Sequence, residues 1–213
     1  MKPIKLELMG LNSYTDKQTV DFEKLTSRGL FGIFGNTGSG KSTILDAITI
    51  ALYGDISRDT TDYINSSSDK AVVKYEFEIG SKNNRKRYFV ERTIKNTPTG
   101  GTKTSRVILG EIKESGDINV LADKVGEVKS KIQDIIGLTS DDFTRSVVLP
   151  QGKFSEFLKL QDRDRRKMLE RIFNLEKYGE KLSNKVKIRR NEAKENLTSL
   201  NGKLSQHEGI TEE

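Results

Sequence analysis

The stretch Gly35-Asn36-Thr37-Gly38-Ser39-Gly40-Lys41-Ser42 fits the pattern G-x-x-x-x-G-K-[ST] at every defined position. The apolar run Leu30–Phe34 before it predicts a buried strand, and the apolar residues of 43–52 after it recur at helical spacing. A strand, a glycine-rich loop and a helix in this order are the context in which the pattern binds nucleotide phosphates. The alternative is an ordinary glycine-rich turn before a helix, and the agreement of spacing with context disfavours it.

The residue types of this loop suit phosphate binding. Glycines at 35, 38 and 40 allow backbone conformations that other residues resist, so backbone N–H groups can surround phosphate oxygens at the positive end of the following helix. Lys41 is predicted to reach the β- and γ-phosphates and to act in catalysis, and Ser42 to place its hydroxyl on Mg²⁺. The predicted nucleotide-binding positions of the loop include Gly38, Ser39, Gly40, Lys41, Ser42 and Thr43.

The composition indicates a globular part followed by a long solvated helical part. Hydrophobic residues make up 33% of the 213 residues and charged residues 32%, so the first fraction is low and the second is high for a compact domain. The net charge is +6, and residues 151–213, with 15 Lys or Arg against 11 Asp or Glu, carry +4 of it. A basic surface is compatible with nucleic acid, and equally with a soluble basic protein that binds none.

The sequence favours a cytoplasmic protein without a membrane partner. It contains no cysteine, which excludes disulfides and cysteine zinc sites. Its first residues lack the apolar core of a signal peptide, and no run reaches the roughly 18 apolar residues of a membrane span. The single histidine, His207, lies among polar residues and is expected to be solvated.

Strand-like segments lie on both sides of the loop, and the last three of them predict an antiparallel meander. They alternate apolar and polar residues or are rich in β-formers, and turn residues connect the last three. A meander differs from the parallel units of a small phosphate-loop kinase, so it is interpreted as an added β layer. The predicted strands are Ile4–Met9, Thr19–Phe22, Val72–Ile79, Arg87–Ile94 and Arg106–Leu109.

The segments after the meander predict one helix and one further strand. The helix runs over Val125–Ile136 and ends at Gly137, and a capping box opens at Thr139. Ser146–Leu149 is interpreted as a buried strand that Pro150 ends. Earlier in the chain, the polar stretch from Ser57 to Lys70 is interpreted as a surface loop.

From Asp162 onward charged residues dominate and apolar residues recur at coiled-coil spacing. The successive separations are 3, 4, 4, 7, 4, 3 and 4, which is a heptad seam with one slip. The change of composition and the seam therefore predict a globular lobe, 1–161, followed by a coiled-coil stem, 162–213. A single amphipathic surface helix is the alternative. The seam consists of Leu175, Tyr178, Leu182, Val186, Ala193, Leu197, Leu200 and Leu204.

The chain lacks the acidic residue that a self-sufficient phosphate-loop enzyme places after a second buried strand. The run Val107–Glu111 comes closest, but it belongs to the meander and is interrupted by glycine. No Ser-Gly-Gly signature is present either. The sequence therefore predicts half of a nucleotide site.

Three blocks together carry a family resemblance. They are Leu30–Ile48 with Ala51–Gly54, Leu121–Val125, and Asp142–Leu158, of which the last is the most specific. The chain resembles the N-terminal part of the SbcC-type ATPases of SbcCD nuclease complexes, which are SMC-like DNA-repair ATPases related to the ABC ATPases. The resemblance implies a P-loop fold of the ABC-ATPase type with ATP and Mg²⁺ as cofactors. It also implies that residues 1–161 are the N-terminal ATPase lobe and that residues 162–213 are the base of an antiparallel coiled coil.

The resemblance also implies roles for residues outside the loop pattern. Gln151 is identified as the catalytic Q-loop glutamine, which contacts Mg²⁺ and the attacking water. Asn12 and Ser13 lie where relatives place a residue near the γ-phosphate, although Asn12 carries no charge. Asn36 replaces a proline common in the family, and with Thr37 it is expected at the loop mouth, in reach of the nucleotide.

The implied partners are a C-terminal lobe of the same protein, a second head, the SbcD nuclease and double-stranded DNA. The C-terminal lobe would supply the Walker B acid and the signature motif, and two heads would enclose two ATP molecules. Engagement and hydrolysis would control access of DNA to the nuclease. DNA contacts are predicted from positive charge on the meander, with a solvated hairpin face as the alternative; the residues are Arg85, Lys86, Arg87, Lys103 and Arg106.

Three other functions compete with this interpretation. A complete small kinase or GTPase would need a metal-binding acid within this chain. A DNA scaffold that binds ATP without turnover would not gain hydrolysis from a second lobe. A RecF-like or SMC-type ATPase would share the loop, but the sequence Phe143-Thr144-Arg145-Ser146 and the surroundings of Gln151 are not expected in it.

Overall fold

The computed structural model describes residues 1–26, 29–55, 63–81, 84–98, 100–148, 159–173, 175 and 178–205. The chain divides into two compact units, Met1–Leu160 and Gln161–Glu213. The assignment of 1–161 as an ATPase lobe and of 162–213 as a coiled-coil base stays a prediction.

The first unit contains a six-stranded sheet in which all neighbouring strands are antiparallel. Its strands are β1 (Lys2–Met9), β2 (Gln18–Asp21), β3 (Lys70–Ile79), β4 (Lys86–Asn96), β5 (Thr102–Ile112) and β6 (Ile118–Ala122). The order β2-β1-β3-β4-β5-β6 makes β2 and β6 the edges. The predicted meander of β3, β4 and β5 is confirmed, and it is longer by β6, for which no strand was predicted.

Alternation of apolar and polar residues explains why these segments form one half-buried sheet. Along β3 the side chains of Ala71, Val73, Tyr75 and Phe77 are all at most 1% exposed, whereas the residues between them are partly exposed. A strand directs successive side chains to opposite faces, so this pattern buries one face and leaves the other in contact with solvent.

Four helices in the described part of the first unit accompany the sheet: α1 (Phe22–Leu25), α2 (Lys41–Tyr53), α3 (Val125–Ile136) and α4 (Ser140–Ser146). α2 begins at the end of the glycine loop and packs on the buried face of the sheet. Gly54 ends it with φ 83°, and its N–H donates to Ile50 O at 2.8 Å, which confirms the predicted cap. The capping box predicted at Thr139 is also present, closed by Asp142.

Arg92 joins the C-terminal end of α2 to the sheet. Its side chain is 1% exposed, and its guanidinium donates to Ala51 O at 3.3 Å and to Thr104 Oγ1 at 3.2 Å. Burial lowers the pKa of Arg92 to about 10, partly offset by the nearby carboxylate of Asp55. A Cβ at Gly54 would lie 2.9 Å from this guanidinium, so glycine is required there by space as well as by φ.

The described residues of the second unit form two helices, α5 (Asp162–Ile172) and α6 (Glu180–Ser205). The seam residues of α6 are exposed: Leu182 by 47%, Leu197 by 58% and Leu204 by 69%. A continuous helix of 26 residues with an exposed apolar seam is compatible with a coiled coil. Pairing with a second helix stays a prediction.

The strand predicted at Leu30–Phe34 is wrong for this chain. Residues 30–36 have no regular structure, and Leu30 and Phe34 are 86% and 93% exposed. The run is apolar enough for a buried strand, but none of the six described strands lies beside it, and a strand needs a neighbour to bond its backbone. Phe31 packs inward, with its ring centroid 5.9 Å from that of Phe22.

Two other predictions also need correction. The strand expected at Ser146–Leu149 is wrong for its described residues, because Ser146 ends α4 and Val147 and Val148 both donate to Phe143 O in a helical turn. The loop predicted from Ser57 to Lys70 is not wholly at the surface. Tyr63 and Ile64 are buried, because Ile64 forms a β-bridge with Leu11.

Candidate nucleotide-binding site

The glycine loop directs the N-terminus of α2 toward a cavity. Gly38 and Gly40 have φ values of 82° and 87°, in the left-handed region that favours glycine. Gly40 is the residue before α2, and its carbonyl accepts the Thr43 N–H at 3.0 Å. The first N–H groups of a helix have no partner within it and carry partial positive charge, which attracts an anion.

Lys41 stands at the centre of the loop. Its Nζ donates to Gly35 O at 2.8 Å and to Asn36 O at 2.6 Å, so the loop closes around the ammonium group. A phosphate oxygen is a stronger acceptor for an ammonium group than a neutral carbonyl oxygen is. A phosphate oxygen can therefore replace the two backbone carbonyl oxygens as the acceptor of Lys41 Nζ, and this exchange does not require the loop to unfold.

The cavity at this helix terminus has a volume of about 420 Å³, large enough for several phosphate groups. Among the described residues that line it, none is acidic, and the charged one is Lys41. The cavity therefore suits an anion. It is lined by Asn12, Ser13, Thr37, Gly38, Gly40, Lys41, Ser42 and Thr43.

Asn12 and Ser13, predicted near the γ-phosphate, belong to a tight turn that contacts the loop. Ser13 Oγ donates to Gly38 O at 2.8 Å, and Asn12 Nδ2 donates to Thr43 Oγ1 at 3.3 Å. Asn12 has φ 46°, a left-handed conformation that asparagine tolerates better than most residues. Both side chains line the cavity while bonded to the loop, and their contact with nucleotide stays a prediction.

The other predicted nucleotide contacts differ in position. Asn36 and Ser39 are exposed parts of the loop, joined by a bond from Ser39 N–H to Asn36 O at 3.2 Å, and neither lines the cavity. Thr37 does line it. Gln151, the predicted Q-loop residue, lies outside the described residues.

Tyr14 is a site residue that no sequence pattern predicted. Its hydroxyl donates to Gly40 O at 3.3 Å, and its ring lies where a Cβ at Gly40 would be, 2.7 Å away. The sequence carries one signal for this contact: Tyr14 directly follows two residues, Asn12 and Ser13, that were already assigned to the site.

Three of the five residues predicted to contact DNA are engaged in ion pairs on the exposed face of the sheet. Arg85 lies 3.6 Å from Glu78, Lys86 lies 3.4 Å from Glu111, and Arg87 lies 2.9 Å from Glu76. A carboxylate beside each cation weakens its attraction for phosphate. We therefore expect these three to contribute less to DNA binding than unpaired cations would.

The other two, Lys103 and Arg106, lie in a different electrostatic setting. Lys70, Lys95 and Lys103 are register partners across β3, β4 and β5, and all three are exposed; we call them the lysine row. Arg106 is exposed in the next part of β5. In the part of the chain that the structure describes, no carboxylate lies within ion-pair distance of these four. Like charges directly opposite in a sheet destabilise it, so the row has a cost to the fold.

The residues of the cavity fit a nucleoside triphosphate with Mg²⁺. The helix terminus and Lys41 suit the phosphates, and the Ser42 hydroxyl lines the cavity as a hard oxygen ligand. Within the described ranges, no three acidic, histidine or cysteine side chains form a cluster that could hold a metal by themselves. The arrangement is compatible with a phosphate-binding loop, and binding of Mg²⁺ stays a prediction.

A family profile described as an AAA domain matches residues 5–209. The chain belongs to this AAA domain family. The predicted fold class, an α/β P-loop ATPase lobe with an added antiparallel β layer, is confirmed by the family match and by the six-stranded sheet.

Curated relatives of this AAA domain chain carry names that agree with the predicted resemblance. The chain is 50% identical over 217 aligned residues to the C component of the SbcCD nuclease of Clostridium acetobutylicum, and 47% identical over 215 to the protein of the same name in Bacillus subtilis (strain 168). Both alignments cover 100% of this chain and 18% of the relative. It is also 36% identical over 181 residues to "Probable DNA double-strand break repair Rad50 ATPase" of Aquifex aeolicus, which covers 83% of this chain and 17% of the relative.

The chain therefore spans about a fifth of the length of the curated relatives that it matches. The resemblance to SbcC-type ATPases is confirmed by these identities. Among the described residues, no helix combines the length and the apolar character needed to cross a membrane.

Proposed function

We propose that this chain is the nucleotide-binding half of an ATPase head of the SbcC type. The observation that carries the proposal is the cavity at the N-terminus of α2, whose described lining brings Lys41, Ser42 and helix N–H groups together and includes no acidic side chain. The AAA domain match and the relatives named as the C component of the SbcCD nuclease support ATP as the nucleotide.

The chemistry of this half-site is binding and charge stabilisation. Lys41 exchanges its bonds to Gly35 O and Asn36 O for oxygens of the β- and γ-phosphates, where charge develops during phosphoryl transfer. Ser42 would bind Mg²⁺ through its hydroxyl, and Gln151 would contact Mg²⁺ and orient the attacking water. Mg²⁺ supplies neutralisation of phosphate charge when bound.

A second lobe completes the site in this proposal. That lobe, from the C-terminal part of the same protein, provides the Walker B acid and the signature motif, and two heads enclose two ATP molecules. The apolar segment beside the loop supports such a partner, because Leu30, Ile33 and Phe34 are exposed at 86%, 39% and 93%. Exposed apolar side chains clustered beside a binding site are typical of an interface.

The whole protein would couple this ATPase to DNA cleavage. In the proposal it is cytoplasmic, and head engagement and hydrolysis control access of double-stranded DNA to the SbcD nuclease. The names of the relatives support this assignment, since two are components of the SbcCD nuclease and the third is a probable double-strand break repair ATPase.

The lysine row is the part of this chain that best supports DNA contact. Lys70, Lys95 and Lys103 oppose one another across three strands at a cost to sheet stability, and phosphate binding gives that cost a function. Arg106 extends the same positive region. The backbone of Lys70 also contacts Gly10, which directly precedes the turn that lines the nucleotide cavity. The positive surface and the nucleotide site therefore lie at the same end of the sheet.

ATP hydrolysis tests the proposal. The chain is assayed alone and mixed with the C-terminal lobe of the Clostridium acetobutylicum relative, with which it shares 50% identity. We expect almost no turnover alone and at least a tenfold gain in the mixture, because the acid that positions the water is missing from this chain. Lys41→Ala and Gln151→Ala should abolish the gain, whereas Lys113→Ala, which removes an exposed lysine in another turn, should not.

Two results would support competing functions instead. Efficient hydrolysis by the chain alone would mean that it contains its own metal-binding acid, as a complete kinase-like enzyme does. ATP binding with no turnover in a mixture whose lobes demonstrably associate would favour an ATP-binding DNA scaffold. Lobe association is measured separately by size-exclusion chromatography.

A further inference from the structure

The turn that precedes β2 is a rigid element in contact with the phosphate loop. Leu11 and Tyr14 close it with two backbone bonds, Leu11 N–H to Tyr14 O at 3.0 Å and Tyr14 N–H to Leu11 O at 2.9 Å. Between them Asn12 has φ 46°. A turn closed in both directions with a left-handed residue inside has little conformational freedom.

The side of the turn away from the loop is fixed as well. Asn12 N–H donates to Tyr63 O at 2.9 Å, and Asn65 Nδ2 donates to Asn12 O at 2.5 Å. Leu11 is fully buried and forms a β-bridge with Ile64. The turn is therefore attached to the core and can transmit a fixed position to whatever it contacts on its other side.

On that other side Tyr14 meets the last glycine of the loop. The Tyr14 hydroxyl donates to Gly40 O at 3.3 Å, and the same carbonyl accepts the Thr43 N–H that starts α2. The Tyr14 ring fills the space beside Gly40, since a Cβ there would lie 2.7 to 3.1 Å from three ring and hydroxyl atoms. Gly40 is buried although the loop residues before it, 35–39, are exposed.

We infer that Tyr14 is a positioning residue for nucleotide phosphate, acting through Gly40 rather than by touching the nucleotide. The inference rests on the proposed function. The peptide unit between Gly40 and Lys41 carries the first N–H group of α2, which faces the phosphates in the proposed function, and its orientation is set by where its carbonyl oxygen bonds. Tyr14 holds that oxygen from a turn anchored in the core, so the donors are oriented before a phosphate arrives.

Tyr53 offers a matched control at the opposite end of the same helix. It is the last residue of α2, and its hydroxyl also donates to a backbone carbonyl, Leu138 O at 3.0 Å. Tyr14→Phe and Tyr53→Phe thus each remove one hydroxyl-to-carbonyl bond from a tyrosine beside α2. They differ in distance from the loop.

The experiment measures binding of a fluorescent ATP analogue with Mg²⁺, together with thermal unfolding, for the 213-residue chain and these variants. We expect Tyr14→Phe to weaken binding about fivefold, the size of one neutral hydrogen bond, with little change in the melting temperature. Tyr14→Ala, which also removes the ring, should weaken it more. Tyr53→Phe should lower the melting temperature and leave affinity unchanged.

Amide hydrogen exchange gives a readout that does not depend on nucleotide. In Tyr14→Phe the Thr43 amide, bonded to Gly40 O, should exchange faster, while the Gly54 amide, bonded to Ile50 O, should not. Equal affinities of Tyr14→Phe and wild type, with unchanged Thr43 exchange, would overturn the inference. Equal losses of affinity in the two Phe variants would overturn it too, because they would indicate general destabilisation. A wild-type chain that binds no nucleotide would contradict the proposed function instead, and the exchange experiment would still decide the role of Tyr14.

Discussion

Apolar side chains are buried in the sheet but exposed in the segment that leads into the phosphate loop. In the sheet, Leu6, Val73 and Leu109 are 0% exposed, each covered by neighbouring strands or helices. In the segment, Leu30 and Phe34 are 86% and 93% exposed although they are equally apolar. Burial of a leucine or phenylalanine side chain contributes roughly 1.5 to 3 kcal/mol, so the segment leaves a substantial gain unrealised.

The difference separates a part of the molecule that has a closed core from a part that exposes its apolar side chains. The sheet has its core, its turns and cross-strand ion pairs such as Glu76 with Arg87. The phosphate loop has its glycines, its lysine and its helix, but the run before it lacks a neighbouring strand among the described residues. The fold therefore contrasts a β layer that has a buried core with a loop whose neighbouring apolar segment is exposed, where the proposed second lobe would pack.

Unfolding of two variants tests this contrast, with the largest effect that we expect. Leu109→Ala should lower the free energy of unfolding by about 3 kcal/mol, because it leaves a cavity in a fully buried part of β5. Phe34→Ala should change it by less than about 0.5 kcal/mol, because the ring is exposed. Urea unfolding followed by circular dichroism measures both, since the chain contains no tryptophan.

A comparable loss in the two variants would mean that Phe34 is packed within this chain and that the contrast is wrong. The contrast is sharpened by repeating the comparison with a C-terminal lobe present. There Phe34→Ala should weaken lobe association, whereas an exposed residue far from the loop, such as Lys113, should tolerate the change to alanine.

The sequence predicted the β layer because its signal is local. Alternation along Val72–Ile79 or Arg87–Ile94 needs no knowledge of the rest of the fold, and the structure has strands over both. The run Leu30–Phe34 carries a similar local signal, yet a strand also needs a partner, which one sequence does not reveal. β6 has the opposite character, because its local signal is weak. It is a short edge strand, Ile118 and Val120 are exposed, and its five residues lack regular alternation of apolar and polar residues.

The site shows the same division between local and non-local signals. Lys41, Ser42 and the glycines follow from one contiguous pattern, and the cavity contains most of them. Tyr14 lies 26 residues before Gly40, and nothing in its own neighbourhood indicates that its ring faces a glycine. The lysine row could not be predicted from the sequence either. Lys70, Lys95 and Lys103 lie opposite one another only because of the strand register and a bulge in the pairing of β4 with β5.

A charge deletion in the lysine row tests whether the sheet has a function beyond its own stability. Lys95→Ala should weaken binding of double-stranded DNA about three- to tenfold and reduce the salt slope by about one, the effect of losing one phosphate contact. It should not lower the free energy of unfolding, because it relieves repulsion from Lys70 and Lys103. Binding to a labelled duplex at several salt concentrations gives both the affinity and the slope.

The matched control is Lys86→Ala on the same strand, where Glu111 lies 3.4 Å from the ammonium group. Its DNA affinity should stay within about twofold of wild type, since the deleted cation was already compensated. Equal effects of Lys86→Ala and Lys95→Ala would show that register opposition does not select the DNA-binding cations. If neither substitution weakened DNA binding, the sheet would not belong to the proposed DNA-binding surface.

The smallest effect concerns a carboxylate on β1. Glu7 accepts bonds from Lys5 at 2.6 Å and from Lys17 at 2.9 Å, and these bonds lower its pKa from 4.5 to about 2. Because the pKa is lower in the folded chain, the pairing stabilises the fold above pH 4.5 and the stabilisation is lost as the pH falls toward 2. The lysine side chains are well exposed to solvent, so we expect a contribution of only about 1 kcal/mol.

Glu7→Gln separates this contribution from acid unfolding in general. The variant should be less stable than wild type by about 1 kcal/mol near neutral pH, and the difference should shrink as the pH falls below about 4. Glu114→Gln, at an exposed turn, controls for the loss of one negative charge. If the two proteins differed in free energy of unfolding by the same amount across this pH range, Glu7 would act through packing. In that case its ion pairs on the exposed face would not contribute to the stability of the sheet.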